Sequence, residues 1–91
     1  MIARLVSVRC RVQGVGYRAW AMNQAERRKL RGWVRNRRDG SVEALLIGEE
    51  EAVEAMIALC CKGPLAARVE TVEAAPAEDD GSAEFLALAT A

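Results

Sequence analysis

The stretch of residues 12–18, Val-Gln-Gly-Val-Gly-Tyr-Arg, carries the residues best suited to chemistry. Gly14 and Gly16 bracket one valine between an alternating apolar run and a helical pattern, so the main chain can form a tight loop whose N–H groups point at one spot. Arg18 falls in the first turn of the predicted helix, where unpaired N–H groups and the positive end of the helix dipole favour an oxyanion. Its planar guanidinium adds a fixed fork of donors that suits phosphate. The sequence therefore predicts a phosphate cradle built from main chain and one arginine.

The chain contains no histidine, which removes Ser-His and Cys-His nucleophile pairs and histidine metal ligands. The chemistry that remains is positioning and electrostatics, carboxylate catalysis, or a lone thiolate. Cys10, Cys60 and Cys61 lack the C-x-x-C spacing of zinc sites, and two of them are adjacent, so we predict reduced thiols, with Cys10 and Cys60 in the core. No metal and no cofactor are expected.

Charge is divided sharply along the 91 residues, although the formal net charge is zero. Residues 1–38 hold eleven Lys or Arg and one acid, whereas residues 39–91 hold two Lys or Arg and twelve acids, leaving formal charges of +10 and −10. Mutual neutralisation across one folded surface is the simpler interpretation, ahead of a nucleic-acid patch. The length predicts one domain over residues 1–91. The longest apolar run is far below about 18 residues and no signal peptide is recognisable, so we predict a free-standing cytoplasmic protein without a membrane span.

The hydrophobic periodicity predicts five strands and two helices. Asp39-Gly40 predicts a hairpin turn, and acidic residues favour the positive start of the second helix. The predicted order of elements, βαββαβ followed by a short last strand, indicates an α+β sandwich of the ferredoxin-like type, an antiparallel sheet with two helices on one face. The elements are a strand Leu5–Val12, a helix Tyr17–Leu30, a strand Gly32–Arg37, a turn Arg38–Ser41, a strand Val42–Ile47, a helix starting at Glu49–Glu51 and ending at Gly63-Pro64, a strand Arg68–Ala75 and a strand Glu84–Thr90.

Asn36 is the second candidate for chemistry. The first two strands are joined through a helix and run the same way, which places their C-terminal ends at one end of the sheet. Side chains alternate along a strand, so Asn36 shares a face with Val34, which we expect under the helices, whereas Arg35 and Arg37 point the other way. An amide there could hold a water beside the phosphate cradle.

These residues resemble the acylphosphatase family. The resemblance rests on residues 12–18, on Gly-Trp-Val-Arg-Asn at 32–36, on Asp-Gly-Ser-Val-Glu at 39–43, and on a distal pattern that includes Val53, Met56, Gly63-Pro64, Ala67, Val69 and Val72. It implies a hydrolase that cleaves the carboxyl–phosphate bond of small acyl phosphates without metal or covalent intermediate, and releases inorganic phosphate as product and inhibitor. Arg18 would match the phosphate-binding arginine and Asn36 the asparagine that orients the attacking water. The main chain of Gln13, Gly14, Val15, Gly16 and Tyr17 would complete the phosphate-binding loop.

Four positions depart from the family pattern. Lys29 stands where a glycine commonly ends the first helix, which predicts a left-handed lysine or a shifted helix end. Ala87 is smaller than usual, so the last strand is expected to pack loosely. Leu45 and Ile47 fall on the face away from the helices, with Trp33 on the same side. We expect this apolar face to be covered, either by a second copy of the chain in a weak homodimer or, in a monomer, by Arg35 and Arg37 lying over it.

Other functions stay open on the residues alone. Residues 14–19 also match the dinucleotide fingerprint G-x-G-x-x-A, although the chain is short for a doubly wound sheet. A ferredoxin-like sheet can also serve as a non-catalytic phosphate- or RNA-binding module, but the first and third strands lack the aromatic residues that RNA platforms use, which disfavours nucleic acid. A third alternative is a carbamoyl-phosphate-handling or regulatory domain related to part of a larger enzyme.

Overall fold

The computed structural model describes residues 1–10, 16–64 and 68–90, and for Cys10 the main chain alone. These ranges contain two helices and five strands. In chain order the elements are β1 (Ile2–Cys10), α1 (Tyr17–Arg27), β2 (Arg31–Asn36), β3 (Val42–Gly48), α2 (Glu50–Lys62), β4 (Val69–Pro76) and β5 (Phe85–Ala87). No helix in the described ranges is both long enough and apolar enough to cross a membrane.

The five strands form one sheet in the order β4-β1-β3-β2-β5. The antiparallel description holds for the first four strands, whereas β5 pairs parallel to β2. Because β1 and β2 both run antiparallel to β3, which lies between them, their C-terminal ends meet at the same end of the sheet, as predicted. The ferredoxin-like prediction is therefore confirmed.

Most element boundaries fall within two residues of their predicted positions, and the exceptions have physical causes. The first strand begins three residues earlier than predicted, at Ile2, because β1 pairs with β3 as far as Gly48. The last strand is three residues long instead of seven, and Leu86 and Ala87 are exposed, in agreement with the loose packing expected there. The predicted end of the first strand, residues 11 and 12, lies outside the described residues.

The main core lies between the sheet and the two helices. Helix α1 packs on β2 and β5, and α2 packs on β1 and β4. Each helix buries three side chains at helical spacing, and the strands contribute the residues of alternating parity that face them. The core members with the lowest exposure are Val6, Val34, Leu46, Val53, Met56, Ala25, Ala21 and Cys60. The predicted core position of Cys60 is confirmed, and that of Cys10 concerns a side chain outside the described ones.

Helix α1 ends three residues before the predicted Leu30, because Lys29 leaves the helix in a left-handed conformation with φ of 56°. The Lys29 N–H bonds the carbonyl of Glu26, and the Leu30 N–H bonds the carbonyl of Ala25, both at 3.0 Å. This pair of bonds is the Schellman ending that glycine usually provides. The expectation of a left-handed lysine is confirmed.

The β2–β3 hairpin has a three-residue loop rather than a turn centred on Asp39-Gly40. The Arg37 N–H bonds the carbonyl of Ser41 at 2.8 Å, and the Gly40 N–H bonds the carbonyl of Arg37 at 3.0 Å. Gly40 takes φ of 90°, the left-handed position that follows a tight turn in such loops. The turn was predicted at the right place, but its type depends on the register of the two strands.

The outer face of the sheet, opposite the helices, carries a second small core of Ala3, Leu45 and Ile47, with Trp33 and Ala77 packed against it. Leu45 is 5% exposed and Ile47 is 1% exposed. The connection between β4 and β5, residues 77–84, runs from one edge of the sheet to the other, and its Ala77 packs on this cluster. It is held by an Ala77 N–H bond to the carbonyl of Ala3 and by Arg31, which pairs with Asp79 and donates to the carbonyl of Ser82 at 2.6 Å.

The apolar face is thus partly covered, as predicted, but the predicted arginines are not the only residues that cover it. Arg35 does lie over Trp33, with its guanidinium carbon 4.8 Å from the ring centroid. Leu45 and Ile47 themselves are buried within one chain, where Trp33 and Ala77 pack against their cluster. The weak homodimer stays a prediction. The Arg31 guanidinium, which donates to the Asp79 carboxylate, and the Gly81 N–H hold the pKa of Asp79 below its usual range.

Candidate active site

Helix α1 starts at a glycine, which shapes the beginning of the site. Gly16 is the N-cap residue with φ of 74°, a left-handed conformation that glycine adopts without strain. The first intrahelical bond, from the Trp20 N–H to the Gly16 carbonyl, measures 2.9 Å. No acidic residue stands in the first turn of α1. The start of α1 therefore presents the positive end of the helix dipole, which favours an anion.

Tyr17 ties this helix start to the other helix. Its hydroxyl donates a 2.8 Å hydrogen bond to the carbonyl of Cys60 in the last turn of α2, and its ring lies 5.2 Å from that of Trp20. The side chain is buried. The Tyr17 side chain thus ties the start of α1 to the end of α2, and the phosphate-binding role of its main chain stays a prediction.

Arg18 is held at the edge of the sheet by a main-chain acceptor. Its Nη1 donates a 2.7 Å hydrogen bond to the carbonyl of Leu88, just after β5. The Leu88 N–H in turn donates to the carbonyl of Val34 on β2 at 2.8 Å. Within the part of the chain that the structure describes, this bond engages one of the five N–H donors of the guanidinium, so the others are available to an oxyanion.

Asn36 is the last residue of β2, two residues beyond Val34 and on the same face of the sheet. It pairs with Val42 of β3, which also pairs with Val8 of β1, so these three residues form one row across the sheet at the end where β1 stops. Asn36 is partly buried. The structure therefore brings Arg18 and Asn36 to one region through a continuous chain of bonds from Arg18 to Leu88 and Val34.

The outer side of the same strand end carries a charged cluster. Arg35 donates from Nε and Nη2 to Oε1 of Glu43, at 2.8 and 2.6 Å, and Arg37 donates from Nη1 to Oε2 at 3.0 Å. Glu43 is only 9% exposed. At the hairpin tip the Ser41 hydroxyl and N–H both bond Asp39, and these donors hold the pKa of Asp39 below its usual range. The two residues that flank Asn36 are therefore both anchored.

Three of the predicted cradle residues, Gln13, Gly14 and Val15, lie outside the described residues. The structure adds two groups that the sequence reasoning missed, the Leu88 carbonyl and the Glu43 carboxylate. No sequence signal points to a main-chain acceptor such as Leu88. Glu43 could have been found, because the hairpin places it opposite Arg35 on the outer face.

Groups suited to other chemistry are sparse in the residues described. No three acidic, cysteine or histidine side chains among them converge in a way that could hold a metal ion. Cys60 is buried, and Cys61 is an exposed free cysteine. The chemical resources of this region are thus the guanidinium, the helix start and the Asn36 amide.

Comparison with known proteins gives the family of the chain as a whole. Residues 5–86 match the family model of acylphosphatase. An acylphosphatase of Rhodopseudomonas palustris is 61% identical over 79 residues, which cover 87% of this chain and 80% of that protein. A second, from an Azoarcus species, is 50% identical over 90 residues, covering 99% of this chain and 92% of the relative.

Solved structures give the same result for the fold. The crystal structure of acylphosphatase from Bacillus subtilis superposes with a TM-score of 0.92 at 34% identity, covering 97% of this chain and 99% of that one. Sequence similarity along nearly the whole length therefore coincides with the same arrangement of strands and helices. On both grounds, this chain belongs to the acylphosphatase family.

Proposed function

We propose that this enzyme hydrolyses the carboxyl–phosphate bond of small acyl phosphates with Arg18 and the main-chain N–H groups of residues 13–18 binding the phosphoryl group and Asn36 orienting the attacking water. Family membership and fold support acyl phosphate hydrolysis. The observation that supports the residue roles is the bond from Arg18 to the Leu88 carbonyl, because Leu88 also bonds Val34, two residues before Asn36 on β2.

In the proposed reaction the water oxygen bonds to phosphorus while the bond from phosphorus to the carboxyl oxygen breaks. The carboxylate leaves with the electron pair, and the proton lost by the water passes to solvent. Negative charge spreads over the phosphoryl oxygens as the bond breaks, so fixed N–H donors and a guanidinium stabilise the transition state. The Asn36 amide accepts a hydrogen bond from the water and holds it in line.

A carboxylate is a good leaving group, so this chemistry needs no general acid. The leaving group of a phosphate monoester is an alkoxide, which does need a general acid. We therefore expect phosphate monoesters to be poor substrates. We further propose that the reaction proceeds without a metal ion, since Arg18 and the start of α1 supply the positive charge that the phosphoryl group requires.

The first test is a phosphate-release assay on a generic acyl phosphate at neutral pH, with and without chelator. We expect equal turnover in both conditions and little release from a phosphate monoester. Turnover that depends on added divalent metal would contradict the proposal of metal-free hydrolysis.

The second test separates the two side chains. Arg18→Lys keeps the charge but loses the planar fork of donors. We expect kcat/KM to fall by an amount that corresponds to a loss of at least ~3 kcal/mol in transition-state stabilisation. Asn36→Ala should lower kcat strongly while the inhibition constant of inorganic phosphate stays close to that of the parent, because water positioning belongs to the chemical step. Arg18→Ala should lose both activity and phosphate inhibition.

Each of these variants has a contrary outcome. A folded Arg18→Lys enzyme with most of its activity would remove the forked-donor role. Equal loss of phosphate inhibition in Asn36→Ala and Arg18→Ala would make Asn36 a phosphate ligand or a structural residue. Circular dichroism of each variant provides the control for folding.

The sheet's outer face does not favour the RNA-binding alternative. Strands β1 and β3 carry no aromatic residue, and the ring of Trp33 on β2 is already stacked by Arg35. A base would have to displace that guanidinium before it could stack. The enzymatic proposal requires no such rearrangement.

A further inference from the structure

We infer that Glu43 is a positioning residue for Asn36: from the outer face of the sheet it holds the two residues on either side of Asn36 and so fixes the amide on the inner face. This inference rests on the proposed role of Asn36 in orienting the attacking water. It concerns a carboxylate that touches neither substrate nor water in that proposal.

The geometry is a clamp on one short segment of main chain. Glu43 lies on β3 directly opposite Arg35 of β2. One carboxylate oxygen accepts hydrogen bonds from both Nε and Nη2 of Arg35, and the other accepts one from Nη1 of Arg37. Side chains alternate along a strand, so anchoring residues 35 and 37 on the outer face leaves the residue between them facing inward.

Contacts other than those with Glu43 also restrain both arginines of the clamp. The Arg35 guanidinium carbon lies 4.8 Å from the Trp33 ring centroid, so stacking and the two-bond contact with Glu43 both restrict it. Arg37 is also fixed through its main chain, which exchanges hydrogen bonds with Gly40 and Ser41. The Glu43 side chain is 12% exposed, compared with 32% for Arg35 and 46% for Arg37.

The location of the clamp argues for positioning rather than for stability alone. A nearly buried carboxylate loses hydration, and such ion pairs often contribute little net stability compared with apolar side chains of similar size. Asn36 is the last residue of its strand and adjoins the hairpin loop. An amide that orients water must hold its place closely, since a displacement of about 1 Å can cost about a hundredfold in rate.

Replacing Glu43 with Gln tests the clamp with little change in volume. The Gln amide can present one acceptor to Arg35, but it presents N–H donors where Oε2 now accepts from Arg37. We expect kcat to fall about tenfold, with the inhibition constant of inorganic phosphate within about twofold of the parent value. The matched control is Glu73→Gln, which changes an exposed carboxylate of β4 in the same row across the sheet, with Ser7 of β1 between it and Glu43. It should leave kcat unchanged.

A double-mutant cycle decides whether Glu43 acts through Asn36. In the Asn36→Ala background the amide is gone, so Glu43→Gln should lower kcat no further. A tenfold loss in both backgrounds would overturn the inference, and so would an unchanged kcat in Glu43→Gln. A rise in the phosphate inhibition constant as large as the loss in kcat would do the same, because it would show general damage to the site.

Two further arms keep the outcome clear. If Glu43→Gln does not fold, Arg37→Met removes one arm of the clamp at a half-exposed side chain, and the same cycle with Asn36→Ala applies. If Asn36→Ala lowers kcat but neither clamp variant does, only the present inference fails. If Asn36→Ala keeps full kcat, the proposed role of Asn36 fails and the inference falls with it.

Discussion

Lys29 adopts a left-handed main-chain conformation that is unfavourable for a residue with a side chain. A left-handed conformation costs a residue with a Cβ roughly 1–2 kcal/mol, and at Lys29 the φ is 56°. The chain accepts this cost because the two Schellman bonds satisfy carbonyls at the end of α1 and allow Leu30 to enter the core, where it is 4% exposed.

Lys29→Gly should therefore stabilise the protein. Glycine removes the steric cost but adds freedom to the unfolded chain, so we expect a net gain of about 0.5–1 kcal/mol in the free energy of unfolding. Urea denaturation at neutral pH measures it. The control is Arg28→Gly, which removes the same charge at a neighbouring residue with φ of −97° and should destabilise instead. An unchanged or lower midpoint for Lys29→Gly would mean that the lysine side chain contributes more than its conformation costs.

At the scale of elements, β5 links the end of the chain to the candidate site. It is short and mostly exposed. Leu88, just after it, nevertheless accepts a hydrogen bond from Arg18 at its carbonyl and donates one from its N–H to the carbonyl of Val34. The parallel pairing with β2 fixes where that carbonyl lies. A weakly packed strand therefore positions the most important cation of the proposed mechanism.

Leu88→Pro tests this link. Proline removes the N–H that donates to Val34, and it suits a preceding residue in the extended conformation, which Ala87 has. We expect a loss of about 1 kcal/mol in stability from the missing hydrogen bond. Because the Leu88 carbonyl would no longer be fixed, KM for the acyl phosphate and the inhibition constant of phosphate should rise by a larger factor than kcat falls.

The matched control is Thr90→Pro, two residues further along and exposed. Steady-state kinetics and phosphate inhibition of the two variants should differ, with Thr90→Pro close to the parent. Wild-type phosphate inhibition in Leu88→Pro would show that Arg18 keeps its position without this carbonyl.

At the scale of the whole molecule, one connection closes the second face of the sheet. The connection of residues 77–84 must travel from one edge strand to the other, and it crosses the outer face over Ala3 and Ile47 on its way. Arg31 fastens it through Asp79 and Ser82. This end of the sheet is opposite the end where Asn36 and Arg18 lie, so the covering and the proposed chemistry are spatially separate.

Ile47→Ala should separate stability from activity for that reason. Ile47 is almost fully buried, so we expect unfolding to be easier by about 2–4 kcal/mol. The kcat per folded molecule should remain that of the parent. Denaturant unfolding and kinetics well below the melting temperature measure the two quantities. Leu86→Ala, at a residue 44% exposed, is the control and should change stability by less than about 0.5 kcal/mol. A sharp drop in the kcat of folded Ile47→Ala would contradict this prediction, because it would show that packing at one end of the sheet affects the activity at the other.

Local sequence determined much of this protein. Periodicity predicts both helices and all five strands, and the connection through a helix predicts that β1 and β2 run the same way and finish at the same end of the sheet. The parity of β2 correctly put Val34 under the helices and assigned Arg35 to the outer face. These features follow from short-range patterns, because side-chain alternation and helix starts depend on neighbours in sequence. The catalytic roles of Arg18 and Asn36 stay predictions.

Tertiary structure alone decided the contacts between residues far apart in the chain. The bond from Arg18 to Leu88 joins residues 70 positions apart, and its acceptor is a main-chain carbonyl that every residue possesses. The packing of Ala77 on the cluster of Ala3, Leu45 and Ile47 depends on the path of a connection with no periodicity of its own. The length of β5 and its parallel pairing likewise depend on which strand edge remains free. Such contacts are selected by the packing of the whole sheet, and no local pattern in the sequence specifies them.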